Sequence, residues 1–589
     1  MAEISPAIDV QELTFRYPGA DDSSLNGLSL RVERGEFVAV IGSNGSGKSS
    51  LCKALTGLIP HYYAGEMEGS ARVGGMDTRE AGVSRLAYAV GYVSQDFDCQ
   101  LVRPTVRQEA EFAPMNFGHA DYEERAMRAL DRLGIGHLKD RYIWQLSGGQ
   151  KHIAALASIL SLDPGILIVD EPAAELDPFH AEAVYELLRR LNETERKTIV
   201  VIEHHAEWIA RYCDSVVLVS EGRVVWKKPV AEALSLTEEL RKHHIFPPQV
   251  TQIAERLGVR TAAGHYPINL SECASALRPL APEPAANEPE PASTRIGFAE
   301  APGDSSTPPQ AAPFKLTQAS YAYPTMDKRD HAVFQELDLS VFPGERVALV
   351  GGNGAGKSTL LRMMTGLVKP SGGTVELYGR SIRKPEDSAG LAAYIYQKPE
   401  SMLICDNVRD EITYFGRARR LPDADELTDS LLDKLHLREL SARDARLLSG
   451  GQQRRVSLAI GLSMKPRLLL LDEPTASLDV VSRKEMAGLL DRIGEEVEAV
   501  VVATHDMQLV AEWANRVVVL HQGRIVADTT PARLFASRDA WTQWGLVAPQ
   551  TVELSNELRW TRPALTVEQF VAAFELARDR KEAVADVAY

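Results

Sequence analysis

Apolar positions fall in short unbroken runs. Phe37-Val38-Ala39-Val40-Ile41, Ile166-Leu167-Ile168-Val169 and Leu468-Leu469-Leu470-Leu471 each end at Gly or Asp, the pattern of strands covered on both faces in a parallel sheet. The first run passes through a Gly-rich turn into Ser50-Leu51-Cys52-Lys53-Ala54-Leu55, a helical pattern, and the segment from Val347 to Leu361 repeats that order. Two further apolar stretches, Ile153 to Leu160 and Val456 to Leu462, read as helices that start just after Ser-Gly-Gly-Gln. Strand, turn and helix in this order predict an α/β protein.

The chain repeats itself. Gly42 to Ser49 returns as Gly351 to Ser358, Leu146 to Gln150 as Leu448 to Gln452, and Asp170-Glu171-Pro172 as Asp472-Glu473-Pro474, with offsets 351−42 = 309 and 448−146 = 472−170 = 302. Pro248-Gln249 and Pro549-Gln550, 301 apart, each precede a helix-like stretch, so the repeating unit is a whole domain with its tail. Between the copies, 281–313 is dense in Pro, Ala, Glu and Ser and reads as a linker. The expected division is 7–240 and 241–280 for the first domain and its extension, 281–313 for the linker, then 314–545 and 546–589.

Composition narrows the class. A length of 589 residues requires several domains, and 44% hydrophobic with 25% charged residues is the balance of a soluble globular chain. The longest near-apolar stretch, Ile153 to Leu162, is far short of the roughly 20 residues of a spanning helix. Met1-Ala2-Glu3-Ile4-Ser5-Pro6 lacks the basic and apolar regions of a secretory signal. The net charge of −16 opposes nonspecific attraction to nucleic acid, so none is expected as a partner. Five scattered cysteines with no CxxC spacing read as reduced thiols rather than as a zinc or redox site.

The chemistry lies in the repeated motifs. Gly42-Ser43-Asn44-Gly45-Ser46-Gly47-Lys48-Ser49 between strand and helix is a phosphate loop: glycines turn successive N–H groups toward one anion, Lys48 reaches the outer phosphates and Ser49 ligates magnesium. Gly351-Gly352-Asn353-Gly354-Ala355-Gly356-Lys357-Ser358 repeats it. Chance gives GxxxxGK[ST] in roughly one chain of this length in fifty; two copies in context exclude chance. Asp170-Glu171 and Asp472-Glu473 sit at strand ends, where ligands bind in open α/β sheets. One carboxylate would enter the magnesium shell and the next would polarise water. Ser147-Gly148-Gly149-Gln150 and Ser449-Gly450-Gly451-Gln452 form a further anion-binding helix start, each serine 23 residues before its acid pair (170−147 and 472−449).

The order of phosphate loop, Leu-Ser-Gly-Gly-Gln, Asp-Glu-Pro and histidine resembles the ATP-binding-cassette ATPases over nearly the whole chain outside the linker. The resemblance implies two tandem P-loop NTPase domains, each with a RecA-like, mostly parallel sheet, an antiparallel β subdomain and a helical subdomain carrying Leu-Ser-Gly-Gly-Gln. It implies an intramolecular, head-to-tail dimer with ATP and Mg2+ as cofactors, pairing Lys48 with Ser449 and Lys357 with Ser147. Carried over by motif, Tyr17 and Tyr323 stack on adenine, Ser50 and Thr359 follow the phosphate loops, and Asp177 and Asp479 bridge the domains. Glu171 and Glu473 activate water, His204 and His505 contact the γ-phosphate, and Gln95 and Gln397 link metal and water to a transporter. The implied metal ligands are Ser49, Gln95 and Asp170, with Ser358, Gln397 and Asp472. His204 is preferred to His205 because 505−204 equals 523−222, the offset of the following glycines. Ala174-Glu175-Leu176-Asp177 departs from the Ser477-Leu478-Asp479 of the second copy, which admits different rates at the two sites.

Gln95-Asp96-Phe97-Asp98-Cys99-Gln100-Leu101-Val102, then Val106-Arg107-Gln108-Glu109 and Phe112-Ala113-Pro114-Met115-Asn116-Phe117-Gly118, resembles the energy-coupling-factor ATPases of vitamin importers. Gly57-Leu58-Ile59-Pro60-His61 and Gly65-Glu66-Met67-Glu68-Gly69 are similar to the fused ATPase of hydroxymethylpyrimidine or thiamine-precursor importers, while Gln397 to Ile404 is less typical. That resemblance implies a transmembrane scaffold (T) subunit and a substrate-binding membrane (S) subunit as partners, at the cytoplasmic face of a bacterial cell membrane. The competing reading is a soluble two-cassette translation ATPase on ribosomes. Such proteins carry a basic connector, whereas Arg295 is the one basic residue in 281–313. A DNA-repair ATPase needs cysteine clusters that are absent, and a sugar-importer ATPase typically has an altered second site, whereas Lys357, Glu473 and His505 are kept.

Overall fold

The computed structural model describes residues 5–173, 176–280, 313–323, 331–476 and 478–587. The expected linker lies outside these residues except for Pro313, and Ala174, Glu175 and Ser477 also lie outside them. The chain divides into two compact units, Met1–Ala281 and Pro282–Tyr589.

The first unit contains β1 (Ile8–Arg16), β2 (Leu25–Val32), β3 (Phe37–Ile41), β4 (Glu66–Val73), β5 (Met76–Asp77), β6 (Val90–Val93), β7 (Ile166–Asp170), β8 (Thr198–Ile202), β9 (Ser215–Ser220) and β10 (Arg223–Pro229). They form an antiparallel sheet in the order β2-β1-β4-β5 and a six-stranded sheet in the order β10-β9-β3-β8-β7-β6. In the larger sheet five strands are parallel and β10 closes the edge antiparallel to β9.

Every residue of β3, β7 and β8 is buried, which is why these strands read as continuous apolar runs. Alternate residues serve two cores. Val38, Val40 and Ile168 pack toward Ile8 and Phe15 of the antiparallel sheet and Leu51 of the loop helix. Phe37, Ala39 and Leu167 pack on the other face, against Leu156 and Leu160 of the helix Gly148–Leu160 and Leu188 of Pro178–Glu195. At about 1.5–3 kcal/mol per fully buried side chain, this two-sided burial locks the strand register. The phosphate-loop helix and the Ser-Gly-Gly-Gln helix therefore lie on opposite faces of one sheet.

The second unit repeats the plan with β11 (Phe314–Tyr323), β12 (His331–Val341), β13 (Arg346–Val350), β14 (Gly372–Leu377), β15 (Arg380–Ser381), β16 (Ala392–Ile395), β17 (Leu468–Asp472), β18 (Ala499–Ala503), β19 (Arg516–His521) and β20 (Arg524–Thr529). Its sheets run β12-β11-β14-β15 and β16-β17-β18-β13-β19-β20, the same topology. Both units end in added helices: Gln249–Arg256 and Leu270–Leu277 in the first, Gln550–Glu557 and Val567–Val587 in the second. A buried threonine hydroxyl ties each pair, Thr251 donating to Pro267 O at 2.7 Å and Thr551 to Leu565 O at 3.1 Å. No helix among the described residues is long and apolar enough to cross a membrane.

Candidate active site

The loop after β3 delivers its chain into the helix Lys48–Leu55 through Gly47, at φ 105°. A Cβ there would lie 2.6 Å from the carbonyl oxygen of Ser24, so only glycine fits this left-handed, crowded turn. The Lys48 ammonium, buried, curls back to donate to the carbonyls of Gly42 at 2.8 Å and Ser43 at 2.9 Å. Lys357 does the same with Gly351 at 2.7 Å and Gly352 at 3.4 Å. Each loop thus holds a cation above a ring of backbone amides and a helix N-terminus, a cradle for phosphate. Ser46 adds a buried hydroxyl with no protein partner, where the second loop has Ala355. Tyr17 and Tyr323 lie beside the loop helices, their hydroxyls 3.3 Å from Ser50 Oγ and 3.1 Å from Thr359 Oγ1.

The acids arrive at the C-terminal ends of β7 and β17. Asp170 accepts from the Tyr92 hydroxyl at 3.2 Å, and Asp472 from that of Tyr394 at 2.8 Å. Burial first, then the neighbouring Glu171 charge, pushes Asp170 up to about 6. Burial likewise raises Asp472, opposed by hydrogen bonds from Ser358 and Tyr394. Glu171 and Glu473 leave their strands with φ of 52° and 47°, a left-handed conformation that costs a side-chain-bearing residue about 1–3 kcal/mol. Bonds from their N–H groups to Ile202 O at 2.9 Å and Ala503 O at 2.8 Å hold them there.

Around the acids the two units differ. Glu171 accepts from Gln95 Nε2 at 2.7 Å and lies 3.2 Å from His204 Nε2. The neighbouring His205 is engaged elsewhere, its Nδ1 2.9 Å from Glu203. Glu473 lies 3.0 Å from His505 Nδ1 and 3.8 Å from Lys357 Nζ. Gln397 makes no side-chain hydrogen bond among the described residues. Burial works against the charge of Glu473, yet its pKa is lowered overall by His505 and Lys357, and Glu473 in turn raises that of His505 against burial.

Ser147 and Ser449 open their helices as capping boxes: Ser147 Oγ accepts from Gln150 N at 3.3 Å while Gln150 Oε1 accepts from Ser147 N at 3.1 Å, and Ser449 pairs likewise with Gln452. Gly149 packs so closely on the helix Pro178–Glu195 that a Cβ would lie 2.8 Å from the His180 ring. Asp177 and Asp479 cap the helices beside these glycines, accepting from His180 N at 3.0 Å and Ser482 N at 2.8 Å. Each unit therefore gathers its phosphate loop, acid pair, glutamine-bearing segment and histidine at the strand ends, with its Ser-Gly-Gly-Gln helix on the opposite sheet face.

The residues expected to hold a cation would supply oxygen: Asp170 and Asp472 carboxylates, Ser49 and Ser358 hydroxyls, and Gln95 and Gln397 amides, the hard donor set that suits magnesium. Among the described residues Asp472 Oδ1 is buried with no hydrogen-bond partner, which fits a carboxylate that would meet a cation. Among the described residues no three His, Cys, Asp or Glu side chains gather as a metal cluster, and all five cysteines are free thiols.

The structure adds residues that the motifs alone do not single out. Glu109 is buried and accepts from the N–H groups of Val102 at 2.9 Å and Arg103 at 2.7 Å. Glu411 accepts from those of Ile404 and Cys405, both at 2.6 Å. Glu203 and Asp506 flank the two histidines. His152, in the Ser-Gly-Gly-Gln helix, stacks on Phe97 at 4.7 Å, where Arg454 of the second unit instead donates to Tyr396 O at 3.5 Å and Ala476 O at 3.4 Å. The repeat offset of 302 aligns Glu109 with Glu411 and His152 with Arg454, and Glu109 also closes the Val106-Arg107-Gln108-Glu109 stretch of the resemblance.

Comparison with known proteins gives one consistent set. The ABC transporter family model matches residues 25–174 and 334–476. A protein of Methanosarcina acetivorans named as an ABC transporter ATP-binding protein is 33% identical over 568 residues, covering 95% of this chain and 91% of its own. One of Streptomyces coelicolor with the same description is 33% identical over 602 residues, covering 95% and 99%. Among solved structures, CbiO1 of Clostridium perfringens, part of the ABC transporter complex CbiONQ, is 31% identical and covers 43% of this chain and 98% of its own, with a TM-score of 0.37.

Proposed function

Because this chain belongs to the ABC transporter family, as an ATPase with two fused cassettes that bind ATP with Mg2+, we propose that it drives a vitamin importer of the energy-coupling-factor type. Its cargo in this reading is thiamine, its hydroxymethylpyrimidine precursor or a similar solute, and its place is the cytoplasmic face of the membrane, held there by membrane subunits.

The observation that carries the transport reading is an exposed apolar side chain repeated in both units. Val102 and Ile404 each lie seven residues after the candidate glutamine (102−95 and 404−397), and they are 59% and 64% exposed. A buried glutamate grips the backbone on which each stands. Rigid presentation of an apolar knob is the anatomy of a binding surface rather than of a folding core. A scaffold subunit with short helices at the membrane surface is the partner this surface fits.

In the same reading, Lys48 and Lys357 hold the outer phosphates of ATP, and Tyr17 and Tyr323 stack on the base. Magnesium neutralises phosphate charge when bound. Glu171 and Glu473 orient and polarise the attacking water, and His204 and His505 steady the γ-phosphate. Ser147 and Ser449 complete the site of the opposite cassette, so that closure moves the helices docked at Gln95 and Gln397.

Purification of the tagged, full-length protein from solubilised membranes tests the transport reading. An integral scaffold and a small substrate-binding membrane protein are expected to co-purify. A ribosome-bound pool without an integral membrane partner would favour the translation-factor reading, for which no residue of the described structure speaks.

A further inference from the structure

Each candidate histidine adjoins a carboxylate, buried in the first unit and partly buried in the second, that ties it to the helix capped by Asp177 or Asp479, and the two units do it from opposite sides. In the first unit Glu203, 2% exposed, precedes His204. Its Oε1 accepts from the N–H of His204 at 2.7 Å and of His205 at 2.9 Å, with His205 Nδ1 also at 2.9 Å. Its Oε2 accepts from the Tyr185 hydroxyl at 2.6 Å. Tyr185, fully buried, belongs to the helix Pro178–Glu195 that Asp177 caps. In the second unit Thr504 stands in the place of Glu203, and the carboxylate follows the histidine as Asp506. It accepts from Thr475 Oγ1 at 3.1 Å and lies 3.6 Å from Nε of Arg483, a residue of the helix Val480–Ile493 that Asp479 caps. Its other oxygen accepts from Leu509 N at 3.1 Å, capping the next helix.

A carboxylate withdrawn from water is costly unless bonded, and the bonds described above go either to the histidine segment and the helix it opens or to the helix capped by Asp177 or Asp479 with the turn before it. We infer that Glu203 and Asp506 are positioning residues that make the place of His204 and His505 follow the helices capped by Asp177 and Asp479. This rests on the reading of those histidines as γ-phosphate contacts. A shift of either helix on assembly of the nucleotide site would then be passed to the histidine through one carboxylate, in the first unit through its peptide N–H and in the second through the residue after it.

The test is a cycle of steady-state ATPase measurements on the full-length chain with Glu203→Gln, Tyr185→Phe and the pair. Losing a hydrogen bond to a charged, buried group that is needed only for alignment should cut kcat roughly tenfold while KM for ATP stays within about twofold. Tyr185→Phe removes a single hydroxyl and leaves the ring stack with Trp208, centroids 5.4 Å apart, so it separates alignment from folding. The pair should be no slower than Glu203→Gln alone, because both break one link. Asp506→Asn should give the same split of kcat from KM. An unchanged kcat in Tyr185→Phe, or multiplying effects in the pair, would overturn the inference. A control with His204→Ala keeps the two readings apart: normal turnover there contradicts the histidine's role, whereas slow turnover there with a normal Glu203→Gln contradicts positioning alone.

Discussion

In the first cassette Glu171 is gripped by Gln95 and faces His204; in the second Glu473 faces His505 and Lys357, and Gln397 stands apart. The backbone geometry is the same, with both acids left-handed at the end of the same strand, so the difference lies in which side chains hold the acid. In the first the acid is tied to the segment that carries the exposed knob Val102. In the second it is tied to the phosphate-binding lysine. Under the proposed function the acid of the first cassette is thereby linked to the candidate docking surface, and that of the second to the candidate phosphate lysine.

The largest test of this comparison removes the acids. Glu171→Gln with Glu473→Gln should lower ATP turnover at least roughly 100-fold while ATP remains bound, measured as hydrolysis rate against retained nucleotide. The single variants sharpen it: Glu473→Gln also releases Lys357 and should change ATP affinity, whereas Glu171→Gln should leave affinity nearly unchanged. Equal affinity shifts in both would break the comparison.

Next come the glycines of the Ser-Gly-Gly-Gln helices. Gly149→Ala places a methyl 2.8 Å from the His180 ring, and Gly451→Ala one 2.9 Å from the Ser482 hydroxyl. A stiff ring gives way less than a small rotor, so Gly149→Ala should destabilise by about 1–3 kcal/mol and Gly451→Ala by less, read from denaturant unfolding.

Much of this architecture is legible in the sequence because it rests on burial and backbone. The all-buried strands appear as apolar runs, the loops as glycine spacing, and the duplicated fold as a constant offset. Three-dimensional neighbours of the site are not legible in that way. Glu203 and Glu411 look like ordinary surface acids in the chain, since nothing local shows that Tyr185 or the Ile404 backbone closes over them. The repeat offset prefers His204 to His205, and the structure adds what each ring meets, Glu171 for the one and Glu203 for the other. The departure at Ala174-Glu175 against Ser477 falls outside the described residues.

The smallest effect is one of pH. Burial pushes His152 down to about 4, from an unfolded value of 6.5, so the native state holds it neutral. Its contribution to stability is full above 6.5 and is lost as pH falls from 6.5 toward 4, because the unfolded chain binds the proton. His152→Phe should flatten the fall in unfolding free energy over that window, and an unchanged profile would remove His152 as its source.

Under the proposed function each ATP would be shared between the phosphate loop of one cassette and the Ser-Gly-Gly-Gln of the other. Counting ATP trapped per chain in the Glu171→Gln, Glu473→Gln background tests it directly. Adding Lys48→Ala with Ser449→Arg should disable one shared site and leave one nucleotide trapped, whereas Lys48→Ala with Ser147→Arg should disable both and leave none. The opposite pattern, one nucleotide with the Ser147 pair and none with the Ser449 pair, would show that each cassette closes its own site.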